Sequence, residues 1–315
     1  MKLLRKLSRE MVEIKLLKIF KIFSIVFFFI ITVFPFYWML NLSFRPYGDV
    51  LLNPSRMIPK WQDIQQVFAP LKCINNNQST VCKSAISNSS FAAVLIRYNF
   101  LTFIRNSVFI SGLTTIISLL LSVPAAYAST RLDFKGRTLV GWLIMLVYMF
   151  PSIVISIPLF VFFTRIQSVL GIQLRNPIGV TIIYLANTLP LSIHMLRGYF
   201  ATIPSELEEA AMIDGSTRWG VIWKIVIPLA APAIVSVALY VFMIAWNEFL
   251  YALLFLVDEP SAWTLPLGLQ QLNSQEVPTT FLMAGSVIVS IPILVLFFLF
   301  EKRLTSGLTA GSVKG

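Results

Sequence analysis

The sequence predicts an all-α polytopic membrane protein with six transmembrane helices, and three observations carry that expectation. Hydrophobic residues make up 57% of the 315 residues and charged residues 12%, against roughly 45 to 50% and 25% in ordinary soluble domains. Apolar runs of about 20 residues recur along the chain, each long enough to cross the hydrocarbon of a bilayer as a helix. The net charge of +11 comes from basic residues scattered between those runs rather than gathered on one face. That distribution fits membrane topology and gives no nucleic-acid surface.

The elements follow in order. Residues 1–21 carry Lys2, Arg5, Lys6, Arg9, Lys15, Lys18 and Lys21, with Leu3, Leu4, Leu7, Met11, Ile14 and Leu17 at helical spacing between them. The pattern is that of a basic amphipathic helix on the cytoplasmic membrane surface. The apolar stretch beyond Lys21 runs through Pro35, Tyr37 and Trp38 without an A-x-A-like cleavage site, so it reads as a span rather than a signal peptide. The spans are expected at Ile22 to Phe44, Phe103 to Thr130, Thr138 to Thr164, Pro177 to Phe200, Val226 to Phe255 and Phe281 to Phe300. Arg131, Lys135 and Arg137 cluster between the second and third, whereas the loop from Leu256 to Thr280 has no Lys or Arg. The positive-inside rule then places both termini in the cytoplasm.

On that orientation residues 45–102 form an external subdomain, in which Pro59, Trp61, Ile64, Val67 and Phe68 suggest a short helix on the membrane surface and Asn75 to Ser90 reads as loop. Cys73 and Cys82 lie in this segment without metal-ligand spacing; they could close a small disulfide loop or remain two thiols. Pro124, Pro151, Pro158, Pro190, Pro232 and Pro292 interrupt the later spans. Each removes a backbone donor and tends to kink its helix.

The least lipid-like stretch of the second half is the loop from Pro204 to Pro228. Ser205 with Glu208 three residues on has the form of a capping box, Gly215 is a stop, and Ser216 or Thr217 can cap a second short helix. The expected unit is helix, sharp turn, helix, with small Ala210 and Ala211 allowing another surface to approach. Its residues run Glu209-Ala210-Ala211, three residues, Gly215, nine residues, then Ile225-x-Ile227-Pro228. This resembles the "EAA" loop of ATP-binding-cassette importer permeases, E-A-A-x3-G-x9-I-x-L-P, with Ile227 where Leu is usual. The resemblance implies the type I importer permease fold and a coupling helix docked on an ATPase subunit, with Glu209, Ala210, Ala211, Asp214 and Gly215 at the contact.

The ending Gly307-Leu-Thr-Ala-Gly-Ser-Val-Lys-Gly315 is similar to the "GLTAGAVKG" tail of maltose-importer-type permeases, with Ser312 for the usual Ala. Trp246-Asn-Glu-Phe-Leu-Tyr251 and Trp263-Thr-Leu-Pro-Leu-Gly-Leu269 also look like that family's. The likeness covers Arg105 to Gly315; the external segment before it is longer than usual. What it implies is a carbohydrate importer in a bacterial or archaeal inner membrane. The tail, through Thr309, Gly311 and Lys314, would reach the ATPases. The partners would be a second homologous permease, two ATPase subunits and an extracytoplasmic solute-binding protein. ATP and Mg would be bound on those partners, with no cofactor on this chain; no G-x-x-x-x-G-K-[ST] occurs in it, and no catalytic constellation.

Ionisable groups within spans are costly and mark either structural pairs or a polar path. Glu248, beside Trp246 and Asn247 near the external end of span five, is the sharpest case, and both readings stand for it. His194, with Asn187 and Thr188 one to two turns earlier, makes a polar patch on span four. It either bonds a backbone carbonyl or lines the pathway. Arg105-Asn106-Ser107 is expected to anchor the start of span two at the interface.

Overall fold

The computed structural model describes residues 2–68, 89–171 and 173–310, with side chains described over 15–67, 89–171 and 173–301. Cys73 and Cys82 lie outside the described residues, as does the Asn/Ser-rich loop up to residue 88. Every regular element among the described residues is helical.

Helix α1 (Lys2–Phe44) runs through residue 21 without a break, so the expected surface helix and first span form one rod. Its end at Phe44 precedes Arg45-Pro46, where proline disfavours continued α conformation in the residue before it. Short helices α2 (Tyr47–Leu52) and α3 (Trp61–Phe68) follow, the latter where the apolar spacing placed a helix. Then come α4 (Ser90–Ala92) with a π-helical continuation (Ala93–Arg97), and α5 (Phe100–Arg131).

The third span is not the single helix that Thr138 to Thr164 suggested. It is divided into α6 (Arg137–Met149) and α7 (Ser152–Leu170). Phe150, held extended by the ring of Pro151, has φ −73° and ψ 128° and makes the break. Helix α8 (Pro177–Phe200) matches its expected limits, because Asn176 accepts a bond from the Gly179 amide at 2.9 Å and Pro177 fits the first turn. The fifth span also departs from its expected form. Two helical segments, Arg218–Leu229 and Ala231–Asn247, meet at a 76° bend at Ala230. We label the first segment's α-helical start α10 (Arg218–Val221) and the second segment α11 (Ala231–Asn247). A further break at Glu248 and Phe249 separates α12 (Leu250–Leu256). Helix α9 (Ser205–Ile213) lies before the bend; α13 (Leu265–Gln270) and α14 (Thr279–Ala310) are the last α-helices of the described residues. Among the described residues five helices are long and apolar enough to cross a membrane, six if the bent pair is one span. Pro124, Pro158, Pro190 and Pro292 sit inside continuous helices, whereas Pro151 and Pro232 open new ones.

The chain divides into two compact units. One comprises the described residues up to Arg97 with Gln275–Val287, the other Tyr98–Ser274 with the described residues from Ile288. In the first, a polar knot follows the end of α1. Arg45 is wholly buried, paired with Asp49 at 2.7 Å and donating to the carbonyls of Asn53 and Arg56 at 2.6 and 2.9 Å. Arg56 in turn bridges Asp49, at 2.8 Å, and Asp63.

In the second unit α5 and α8 pack along their length, with α11 against both. The face of α5 that does this is a buried stripe of small hydroxyl residues, Ser107, Ser111, Thr114, Ser118 and Ser122, at helical spacing. Ser118 meets Ser192 of α8 at 3.4 Å. Small residues let membrane helices approach closely. The Thr114 hydroxyl is satisfied within its own helix, donating to the Ile110 carbonyl at 2.7 Å, whereas the buried Ser122 hydroxyl has no hydrogen-bond partner among the described residues.

Candidate functional site

The segment 204–229 forms an elbow at the end of the bundle where α5 and α8 terminate. Pro204 precedes α9, which keeps acidic Glu206 and Glu208 in its first turn, favourable to the helix dipole. The chain reverses at Gly215, whose φ of +87° is the left-handed conformation that glycine adopts without steric cost. Hydrogen bonds donated by the Gly215 amide to the Met212 carbonyl (3.1 Å) and by the Ser216 amide to the Ala211 carbonyl (3.0 Å) close the end of α9. Thr217 then caps α10, accepting from the Gly220 amide at 3.2 Å. Of the two capping residues the sequence offered, the structure uses Thr217.

The capping box at Ser205 does not form. Ser205 stands inside α9, and the Glu208 side chain turns into the bundle instead. Its carboxylate accepts from the Tyr127 hydroxyl at 2.8 Å and the Arg131 Nε at 2.7 Å, both on the last turns of α5. Glu208 is 6% exposed. Arg131 also donates to the Ile203 carbonyl, so one guanidinium ties the approach to the elbow and the elbow itself to α5. Around this latch Tyr127, Phe200, Val221, Val226 and Val237 form one apolar cluster, with Ala211 against it. Sequence reasoning assigned Arg131 to topology and Glu208 to a cap; the signal for both was an acid and a base at the ends of adjoining helices on one side of the bundle.

With one edge latched, the other faces outward. Glu209, Ala210, Asp214 and Gly215 are exposed, whereas Ala211 is half-buried on the inner face. Ile213 is 86% exposed and Trp219 67%, beside exposed Leu207 and Met212. Together these side chains make an exposed apolar tip on the elbow.

The residues proposed from sequence for a polar path are only partly brought together. The Glu248 carboxylate caps α12, accepting from the Tyr251 amide at 2.9 Å and the Ala252 amide at 3.3 Å. The buried Tyr184 hydroxyl of α8 is near the same carboxylate without a hydrogen-bond partner among the described residues, and Asn187 is near Tyr251. Tyr251 also donates to the Ser152 carbonyl at 3.1 Å, so Asn187 and Glu248 belong to one cluster spanning α7, α8 and α12. Trp246 is not in it: it is fully buried, and its indole donates to the Val289 carbonyl of α14 at 3.1 Å. Asn247 is exposed and donates to the Met243 carbonyl at 2.8 Å. His194 is exposed two turns further along α8, in a cleft with Arg137 and Arg197. At the other end of α5, Asn106 donates to the Ser261 and Trp263 carbonyls at 2.8 and 3.0 Å. Ser107 accepts from the Leu265 amide at 2.7 Å, so these two bind a neighbouring segment while Arg105 is exposed. Thr309 lies on α14 with its side chain outside the described residues; Gly311 and Lys314 are wholly outside them. Among the described residues no group of three or more His, Cys, Asp or Glu is placed to hold a metal.

Residues 118–309 match the family described as "Binding-protein-dependent transport system inner membrane component". The chain belongs to this family. The inner membrane component is also 35% identical over 292 residues to the ABC transporter permease protein YcjP of Escherichia coli, covering 91% of this chain and 93% of that one. It is 36% identical to the trehalose/maltose transport system permease protein MalG of Thermococcus litoralis, over 91% and 93% of the two chains. Among solved structures it is similar to a chain of a bacterial ABC transporter for alginate, with a TM-score of 0.70 and 24% identity over 90% of this chain and 96% of that one. The fold is thus that of an ABC importer permease, and the chain is a multi-pass membrane permease subunit rather than an enzyme.

Proposed function

We propose that this permease forms half of the translocation pathway of a carbohydrate importer and is driven through the elbow at Glu209 to Gly215. The observation that carries the proposal is the elbow's two-sidedness: Glu208 is locked to Tyr127 and Arg131 while Ile213, Asp214 and Gly215 project outward. An element gripped by its own bundle and bare on the opposite edge suits the transfer of movement from a partner. That partner is an ATPase subunit on the cytoplasmic side, the side on which Arg131, Lys135 and Arg137 place this end of the bundle by the positive-inside rule. Two ATPases, a second permease and an extracytoplasmic solute-binding protein complete the complex. ATP and Mg are bound by the ATPases, and the tail with Thr309, Gly311 and Lys314 extends toward them. Both termini are cytoplasmic and residues 45–102 external.

Carbohydrate as substrate is supported by relatives named for trehalose/maltose and for diacetylchitobiose uptake. Alternating access then proceeds by closure of the ATPases, movement of the elbow, and displacement of α5, α8 and α11 that opens the path past Asn187, Tyr251 and Glu248. A single cysteine at Ile213 tests the docking: crosslinking in membranes should capture an ATPase subunit, and the yield should change when ATP is bound. Capture of no nucleotide hydrolase, or labelling of that cysteine from outside the cell, would overturn the proposal.

A further inference from the structure

A cleft of about 520 Å³ opens between the end of α5, the start of α6 and the last turns of α8. Its walls bring together Arg137, Trp142, His194 and Arg197 with Thr138 and Ser129, and no acidic side chain lines it. The two arginines are differently placed. Arg137 is occupied: it donates to the carbonyls of Ser129 and Thr130 at 2.8 and 2.7 Å and pairs with the exposed Asp133 at 2.9 Å. The Arg197 guanidinium lies over Gly141, so close that a Cβ there would stand 2.8 Å from its Nη1. Its side chain has no hydrogen-bonding or ionic partner among the described residues. A half-buried guanidinium facing an open, cation-lined cleft calls for an anion.

The position in the fold says which anion. Helix α5 ends at Arg131, α6 begins at Arg137 and α8 ends at Phe200, so the cleft lies at the depth where three apolar helices leave the hydrocarbon. Trp142 stands at its edge with 71% of its surface exposed, as interfacial tryptophans do. Beyond it the outer face of α6 is apolar, with Leu139, Leu143 and Leu146 exposed, and can lie along acyl chains. Planar guanidinium forks match phosphate oxygens, and basic pockets between membrane helices at this level hold anionic headgroups.

We propose that this cleft binds the phosphate of an anionic phospholipid, with Arg197 as the principal ligand, Arg137 and His194 beside it, and Trp142 against the glycerol backbone. The site is distinct from the elbow and from the Asn187 to Glu248 cluster, and it stands whether or not the proposed substrate is correct.

The test is retention of lipid by the full chain in mixed micelles of phosphatidylglycerol and phosphatidylcholine, read by native mass spectrometry. Phosphatidylglycerol should be retained in preference. Arg197→Gln should lower that preference about fivefold, as expected for one interfacial basic residue, while Lys135→Gln, an exposed lysine outside the cleft, should leave it unchanged. Should Arg197→Gln fail to fold, Thr138→Leu fills the cleft without altering charge and should lower the preference likewise. Equal retention of the two lipids by the unmodified chain overturns the proposal, as does an unchanged preference in the altered chains. Displacement of the lipid by inorganic phosphate would assign the cleft to a free anion and overturn the lipid identification.

Discussion

Replacing Gly215 by valine tests the elbow at its turn. A Cβ at that position meets nothing within 4 Å, so the obstacle is conformational rather than steric. A left-handed L-residue costs about 1 to 2 kcal/mol, enough to deplete the turn conformation roughly tenfold. Membrane insertion should be unaffected and substrate-stimulated ATP hydrolysis by the assembled complex strongly reduced; normal stimulation would contradict the role given to the turn. Glu208 makes a different demand. Glu208→Ala strands Arg131 and Tyr127 and should destabilise the chain by about 3 kcal/mol in micelle unfolding measurements, with a smaller effect when Arg131 has already been replaced. Glu248→Gln keeps an acceptor for the Tyr251 and Ala252 amides. Folding should therefore survive, whereas uptake should slow if the carboxylate charge serves the path; unchanged uptake kinetics would leave it a capping residue.

Among the elements, the knot after α1 gives a pH prediction. Burial pushes the Asp49 carboxyl up, but the hydrogen bond and charge of Arg45, with Arg56 and Asn53, outweigh it and hold the carboxyl below the usual carboxylate range. A depressed folded-state value means its stabilisation is present above about pH 4, the unfolded value, and is lost as pH falls through the folded one. Acid unfolding of α2 should therefore be shallower in Asp49→Asn, measured by hydrogen exchange at Tyr47–Leu52; an identical acid transition would remove Asp49 from the account. How far these elements could be read from sequence varied with their cause. Helix α8 was legible to the residue because Asn176-Pro177 is a local start signal. The breaks at Phe150 and Ala230 were not, since a proline in an apolar run is compatible with a continuous kinked helix, as Pro124 and Pro190 demonstrate in this chain. The Arg45 knot was illegible for another reason: its partners are mainly carbonyls of residues up to 11 positions away, and no side-chain pattern announces them.

For the whole molecule, the recurrence of apolar spans and the polar elbow between the later ones were readable because lipid imposes long apolar runs and the loop departs from them. The stripe from Ser107 to Ser122 was not, because five small hydroxyl residues look like dilution of hydrophobicity until a second helix is laid on them. Uptake by membrane vesicles should cease when the partner ATPase genes are deleted; uptake driven by an ion gradient alone would refute the assignment of the motor to a partner. One helix also connects two of the contacts described above. Near one end α5 holds the elbow through Tyr127 and Arg131, and near the other it holds the backbone of residues 261–265 through Asn106 and Ser107. At 1.5 Å per residue these attachments are about 36 Å apart, so a tilt of about ten degrees at the first sweeps the second by about 6 Å. On the proposed coupling, a nudge delivered to the elbow is geared up into a stroke at the far attachment, carried by a helix that runs without a break through Pro124.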